Sequence, residues 1–211
     1  MVTLWTSLPH SRIMLLLLSV PRPHDFGSRM EWDAAHASTA AHGADWLLPY
    51  TSISTVLRPW LLAAPSGPIL ELGCGTSSLA RELVADGFSE VTACDYSVVA
   101  IERAKSHHDG VAGLTFAVED ARRLSFGDSS FASVVDKGTL DAICTGEGYD
   151  YEAKLVGSEV ARVLVPGGRW ACLSLMPPSV VRPLLTNSQW WSTFDYRQIG
   201  GFHLYMAVAK W

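Results

Sequence analysis

Residues 68–87, "PILELGCGTSSLARELVADG", constrain the fold more than any other stretch of this chain. An apolar run of strand length passes through Gly73 and Gly75 directly into apolar residues at helical spacing, which stop at Gly87. A strand handed over to a helix in this way needs the helix to carry the chain back before the next strand can pair, so the unit predicts a parallel sheet. The alternation continues. "VTACD" (91–95), "LTFAV" (114–118), "FASVVD" (131–136) and "RWACLSLM" (169–176) read as strands, while "SVVAIERAKSHH" (97–108) and "YEAKLVGSEVARVL" (151–164) read as helices. Near the C-terminus the pattern changes. Two strand-like runs, "WWSTFDYRQI" and "FHLYMAVAKW", flank Gly200–Gly201 and predict an antiparallel hairpin. The fold class is therefore α/β, with a mostly parallel sheet.

With 48% apolar and 18% charged residues, 211 residues supply the core of one domain. A formal charge of −5 offers no basic field for a phosphate backbone, which points away from nucleic acid and toward a protein or small-molecule partner. Cys74, Cys94, Cys144 and Cys172 stand singly in or beside apolar runs, without the paired spacing of a zinc or dithiol site, and read as reduced core residues. No metal-ligand cluster is apparent. His107 and His108 end a predicted helix, where an imidazolium suits the dipole. "PPSVVRPLL" (177–185) reads as a proline-marked connection, and "QWWSTFDY" as hairpin core or rim.

Residues 1–28 differ from the rest. "IMLLLLSV" (13–20) is too short to span a bilayer, so no stable membrane insertion is expected. The segment fits a poorly ordered extension, a mitochondrial presequence or a secretory apolar region, ahead of a domain over residues 29–211.

The chemical signal begins with Gly73-x-Gly75, where the backbone can pass close to a ligand at the start of a helix. Asp95 ends the next strand twenty residues after Gly75, where a carboxylate can accept hydrogen bonds from ribose hydroxyls. Together they predict an adenosine-containing cofactor. A dinucleotide fingerprint needs a third glycine where this chain has Ser78. The nearest approach to a Tyr-x-x-x-Lys pair, Tyr151 with Lys154, is one residue short. S-adenosylmethionine carries no phosphate and tolerates the missing glycine.

The runs "ELGCGTSSLA", "VTACDYSVVAIERA", "EDARRLSF", "FASVVDKGTLDAI" and "EVARVLVPGGR", with "EWDAAH", "ADWLLPY" and "GFHLYM", resemble the class I S-adenosylmethionine-dependent methyltransferases. The likeness is narrower to the group that contains the elongation factor 1-alpha lysine methyltransferases and the citrate synthase lysine methyltransferase, with "DKGTLDA" its most distinctive phrase. It covers about residues 31–211 and implies a doubly wound, seven-stranded, Rossmann-like sheet closed by the hairpin. It also implies a role for particular residues. Gly73 would approach the methionine end, Asp95 would hold the ribose, and Tyr96 would lie beside the adenine, whose edge Asp120 and Ala121 would read. Lys137 would line the methionine side. Trp32 and Trp46 would close over the cofactor, and His36 stands where relatives tend to have tyrosine. Glu71 is either an orienting residue or a strand-end acceptor.

The implied activity is methylation of a protein lysine. A small-molecule methyltransferase and a non-catalytic cofactor-binding partner are the alternatives. The cluster from Asp136 to Asp141, at a strand's carboxyl end, reads as a rim in which Asp136 and Asp141 bind the incoming ammonium. A translation-factor substrate implies the cytoplasm; citrate synthase would imply the mitochondrial matrix.

Overall fold

A computed structural model describes residues 28–37, 46–146 and 148–210. The extension expected over residues 1–28 lies outside them but for Ser28. Fourteen elements follow in order among the described residues: α1 (Arg29–Ala37), α2 (Tyr50–Leu62), β1 (Ile69–Leu72), α3 (Leu79–Ala85), β2 (Val91–Asp95), α4 (Val98–His107), β3 (Leu114–Val118), β4 (Phe131–Lys137), α5 (Thr139–Ile143), α6 (Tyr149–Val163), β5 (Leu164–Ser174), α7 (Pro178–Leu185), β6 (Trp191–Ile199) and β7 (Phe202–Ala209).

The strands form one seven-stranded sheet in the order β3-β2-β1-β4-β5-β7-β6. The first five are parallel and β7 runs antiparallel between β5 and β6. The strand order reverses between β1 and β4, and this switch point opens a crevice at the carboxyl ends of the central strands. Gly200 takes a left-handed φ of 60° in the two-residue hairpin turn, with Ile199 opposite Phe202.

Alternation along the strands feeds two cores. Leu70, Leu72, Val134, Trp170 and Cys172 pack on one face with Val156, Val160 and Val181 of α6 and α7. Ile69, Val135, Ala171 and Leu173 pack on the other with Leu57, Leu83 and Ile101 of α2, α3 and α4. These strands are covered on both faces, which explains their near-continuous apolar sequence. All four cysteines are free, and Cys74, Cys94 and Cys172 are buried.

Three local expectations change. The 177–185 segment is helix α7, with Pro178 in its first turn, where a missing N–H costs nothing, and with Val181 and Leu185 buried. The fifth strand starts at Leu164 rather than at residue 169. Leu164 pairs with Phe131 and Arg169 with Ser133, so residues 165–168, "VPGG", bulge out of the ladder between them. Helix α2 carries Pro59 inside it and escaped the periodicity reading; Ile53, Leu57 and Leu61, at spacings of four, are its buried stripe.

Leu70 lies at the centre of the sheet and is fully buried. Leu70→Ala should lower unfolding free energy by about 3 kcal/mol through lost burial and a residual cavity, measured by urea titration. Tyr151→Ala, at a side chain 63% exposed, should stay within about 0.5 kcal/mol of wild type in the same titration.

Candidate functional site

The turn after β1 is built by hydrogen bonds to a single carboxylate. Asp95 Oδ2 accepts from the Gly75 N–H at 2.9 Å and Oδ1 accepts from the Ser97 N–H at 2.8 Å, joining the loops that follow β1 and β2. Gly73 and Gly75 both hold left-handed φ values, 65° and 51°, which favours glycine. Asp95 is buried, and burial raises its pKa against the opposing effect of these N–H groups and of His36.

The four consecutive residues of "DKGT" are each tied to a different place. Asp136 and Lys137 point to opposite faces because side chains alternate along β4. Asp136 turns into the core beneath α5, accepting from Thr139 N–H at 2.9 Å, from Leu140 N–H at 3.3 Å and from the Cys172 thiol at 3.3 Å. Lys137 turns the other way and donates from Nζ to the Trp46 carbonyl at 2.7 Å. Gly138 has φ 88°, and a Cβ there would lie 2.6 Å from Trp46 Cδ1, so the indole rests on this glycine. Thr139 Oγ1 donates to the Leu72 carbonyl at 2.9 Å, and its side chain occupies the space that a Cβ on Gly73 would need.

The N-terminal segment covers the crevice. Ser97, the N-cap of α4, accepts from Ala100 N–H and donates to Asp33 of α1, while Arg103 of α4 donates to the Ala37 carbonyl. This fixes His36 and Trp32, stacked with centroids 5.5 Å apart, and Trp32 meets Trp46 edge-on at 6.1 Å. His36 is buried over Gly75, its Nδ1 has no hydrogen-bond partner, and burial lowers its pKa.

One cavity gathers Trp32, His36, Trp46, Gly73, Asp95, Tyr96, Asp120, Ala121 and Lys137, all nine of the residues expected around a cofactor. Glu71, Glu119, Arg122, Thr139 and Ile143 line it as well. Asp120 is already engaged there, since Arg122 grips its carboxylate in a two-point contact at 2.9 and 2.7 Å and reaches Glu152 at 3.0 Å. Arg122 and Thr139 were not singled out in the sequence. Arg122 sits two residues after an acid in an irregular loop, so no periodicity marks it, while Thr139 stood inside the distinctive phrase.

The two carboxylates expected at an acceptor rim are placed elsewhere. Asp136 is fully buried with its oxygens occupied, and Asp141 accepts from Leu175 N–H at 2.8 Å; neither lines the cavity. For Asp136 the reason is the alternation along β4, which sends it to the core side and leaves Lys137 on the cavity side; Asp141, on α5, is turned to the chain after β5.

Burial pushes the Asp136 carboxyl up to about 7, whereas in the unfolded chain it titrates near 3.9. Between those pH values the folded state holds a proton that the unfolded state has lost, so this group's contribution to stability falls as pH rises from about 4 to about 7. Asp136→Asn, a mimic of the protonated form, should remove that fall. Urea titrations of both proteins across the interval should show the variant gaining on wild type as pH rises; a constant difference would refute the assignment.

The arrangement matches known proteins. A family profile described as a methyltransferase domain matches residues 69–168. The chain is 34% identical over 187 residues to EEF1A lysine methyltransferase 4 of Mus musculus, covering 84% of this chain and 72% of that protein. With the Bos taurus protein of the same name it is 35% identical over 156 residues, covering 70% of this chain and 60% of that one. It is 32% identical to eEF1A lysine and N-terminal methyltransferase of Xenopus laevis across 77% of this chain, which spans 24% of that longer protein. Solved structures share the fold, two of them as follows. N-methyltransferase NodS from Bradyrhizobium japonicum WM9, in complex with S-adenosyl-L-homocysteine, superposes with a TM-score of 0.65 at 16% identity, covering 86% of this chain and 97% of that one. The PH0226 protein from Pyrococcus horikoshii OT3 gives 0.62 at 24% identity, covering 76% and 89%. The sheet order, the Gly75–Asp95 hydrogen bond and the extent of the mouse match lead to one conclusion: the chain belongs to the class I S-adenosylmethionine-dependent methyltransferases, in the family of the EEF1A lysine methyltransferases.

Proposed function

We propose that this enzyme methylates a lysine side chain of eukaryotic elongation factor 1-alpha. The observation that carries the substrate is the 34% identity to the mouse EEF1A lysine methyltransferase 4 across 84% of this chain.

The cavity suits the family's cofactor. Its lining holds the carboxylates of Glu71, Asp95, Glu119, Asp120 and Glu152 against the cations of Lys137 and Arg122. That balance favours a ligand with a positive centre and no phosphate, and the orphaned Nδ1 of buried His36 leaves one polar atom for a ligand group. Asp95 retains acceptor capacity beyond its two backbone donors, and Trp32, Trp46 and Ala121 supply apolar and aromatic surface. S-adenosylmethionine supplies an electrophilic methyl group on a sulfonium.

The chain's own contribution is positioning, which can supply about 7 to 11 kcal/mol when the reacting atoms are held in line. Lys137, Gly138 and Thr139 hold Trp46 and the Gly73 turn in fixed relation, which sets the two walls between which donor and acceptor meet. A lysine acceptor must arrive neutral. From a reference pKa of about 10.4, neutrality near pH 7.4 costs about 4 kcal/mol. The apolar walls Trp46 and Ile143 lower the acceptor's pKa by desolvation, as does the positive sulfonium the cofactor would bring, both against the cavity carboxylates, which favour the ammonium. With Asp136 and Asp141 outside the cavity, attraction of the incoming ammonium falls to the cavity carboxylates, of which Glu71 is on the same face of the sheet as Lys137.

Recombinant elongation factor 1-alpha incubated with methyl-labelled S-adenosylmethionine should gain label on a lysine, located by mass spectrometry. Asp95→Ala should weaken cofactor binding by about 30-fold, the loss of roughly 2 kcal/mol of charge-assisted hydrogen bonding, and abolish label at limiting cofactor. Label confined to small molecules, or absent despite cofactor binding, would overturn the substrate.

The same substrate places the enzyme in the cytoplasm in our reading. Among the described residues no helix is long and apolar enough to cross a membrane. A fluorescent reporter fused to residues 1–30 should stay diffuse in the cytoplasm, and import into mitochondria would refute that placement.

A further inference from the structure

Among the described residues His36 is the imidazole that lines the cavity, and its position is unlike that of a core histidine. It is 7% exposed, stacks on Trp32, lies over the Gly75 backbone and leaves Nδ1 without a partner. Three charged groups face it: Asp33 from its own helix, Asp95 from the end of β2, and Arg103 from α4, whose guanidinium is held by the Ala37 carbonyl. Glu71, Lys137 and Arg122 lie further along the same lining.

The donor and its product differ in one respect that such a group can read. S-adenosylmethionine bears a sulfonium, and S-adenosylhomocysteine, having lost the methyl group with the C–S bonding pair left on sulfur, is a neutral thioether of nearly the same shape. A shape-based contact cannot separate the two strongly. A titrating charge in the wall of the cavity can.

We propose that His36 makes the site's preference between charged donor and neutral product depend on protonation, the protonated imidazole weakening the donor selectively. The inference rests on the family's cofactor and not on the identity of the acceptor.

The thermodynamic sign follows from reciprocity. A cation bound in the cavity disfavours the proton on His36, so the proton disfavours that cation by the same factor, while the thioether is affected much less. Burial already lowers the pKa of His36 from its usual 6.5, so the preference changes as pH falls below that value and is flat above it. Lower pH thus favours retention of product over loading of donor. Asp95 would act in the same direction if it took up a proton, so only a change at position 36 separates the two.

Isothermal titration calorimetry of wild-type enzyme with S-adenosylmethionine and, separately, with S-adenosylhomocysteine from pH 8 to pH 5.5 tests the proposal. The ratio of the donor's Kd to the product's Kd should rise by about threefold or more on acidification, with the rise confined to pH below 6.5, because the bound sulfonium lowers the imidazole's pKa further. His36→Phe keeps the stack on Trp32 and His36→Gln keeps a neutral polar group; in both the ratio should change by less than about twofold over the same interval. A ratio that is flat in wild type, or that rises equally in both variants, overturns the role of His36 while leaving the cofactor assignment intact. Absence of binding by either ligand at pH 8 overturns the cofactor assignment and this inference with it.

Discussion

The crevice depends on a steric fit between two residues far apart in sequence. Thr139 places its side chain where a Cβ on Gly73 would otherwise stand and donates from Oγ1 to the Leu72 carbonyl, so the turn after β1 and the start of α5 can occupy only one relative position. The turns after β1 and β4 flank the switch point of the sheet, and fixing them together fixes the width of the opening. Asp136 holds Thr139 from beneath, through the N–H groups of Thr139 and Leu140, and Asp95 holds the other side of the Gly73 turn through Gly75 and Ser97. The rigid part of the site is thus a chain of backbone groups satisfied by two buried carboxylates and one hydroxyl. None of the three needs to touch an acceptor to matter for its placement.

The N-terminal segment is attached more sparingly. Helix α1 is held to α4 by the Asp33–Ser97 and Ala37–Arg103 hydrogen bonds, and Trp46 by Lys137 and the flat surface of Gly138. These contacts bring two tryptophans and His36 over a sheet end whose charged residues are five acids against Lys137 and Arg122. The site therefore combines aromatic area for a planar ligand group with a field that favours positive charge.

The aspartate of "DKGT" illustrates why residue type and position along the chain did not settle a role. An acid and an amine directly after an apolar strand suggested a rim at which an ammonium could bind. The two side chains separate because β4 continues through Lys137 and alternates to the last residue, which puts Asp136 beside Cys172 and Lys137 beside Trp46. Asp141 is similarly turned to the β5–α7 connection, where it accepts from Leu175. Asp120 joins the cavity as expected, but with Arg122 across its carboxylate, a pairing formed within an irregular loop that no periodic pattern marks.

Much was determined by local sequence. The strand–glycine–helix handover at 68–87 and its repeats set the parallel sheet, Gly200–Gly201 set the hairpin, and Gly73 and Gly75 set the first turn, because each depends on backbone conformation or on neighbours close in sequence. Tertiary structure alone decided which polar groups face the cavity, that Pro59 and Pro183 lie inside helices, and that the 165–168 segment bulges from a strand already begun at Leu164. Those outcomes turn on the face a side chain takes and on packing between elements separated by tens of residues, and it is the closed sheet, with both faces buried, that fixes which side of each strand is core and which is site.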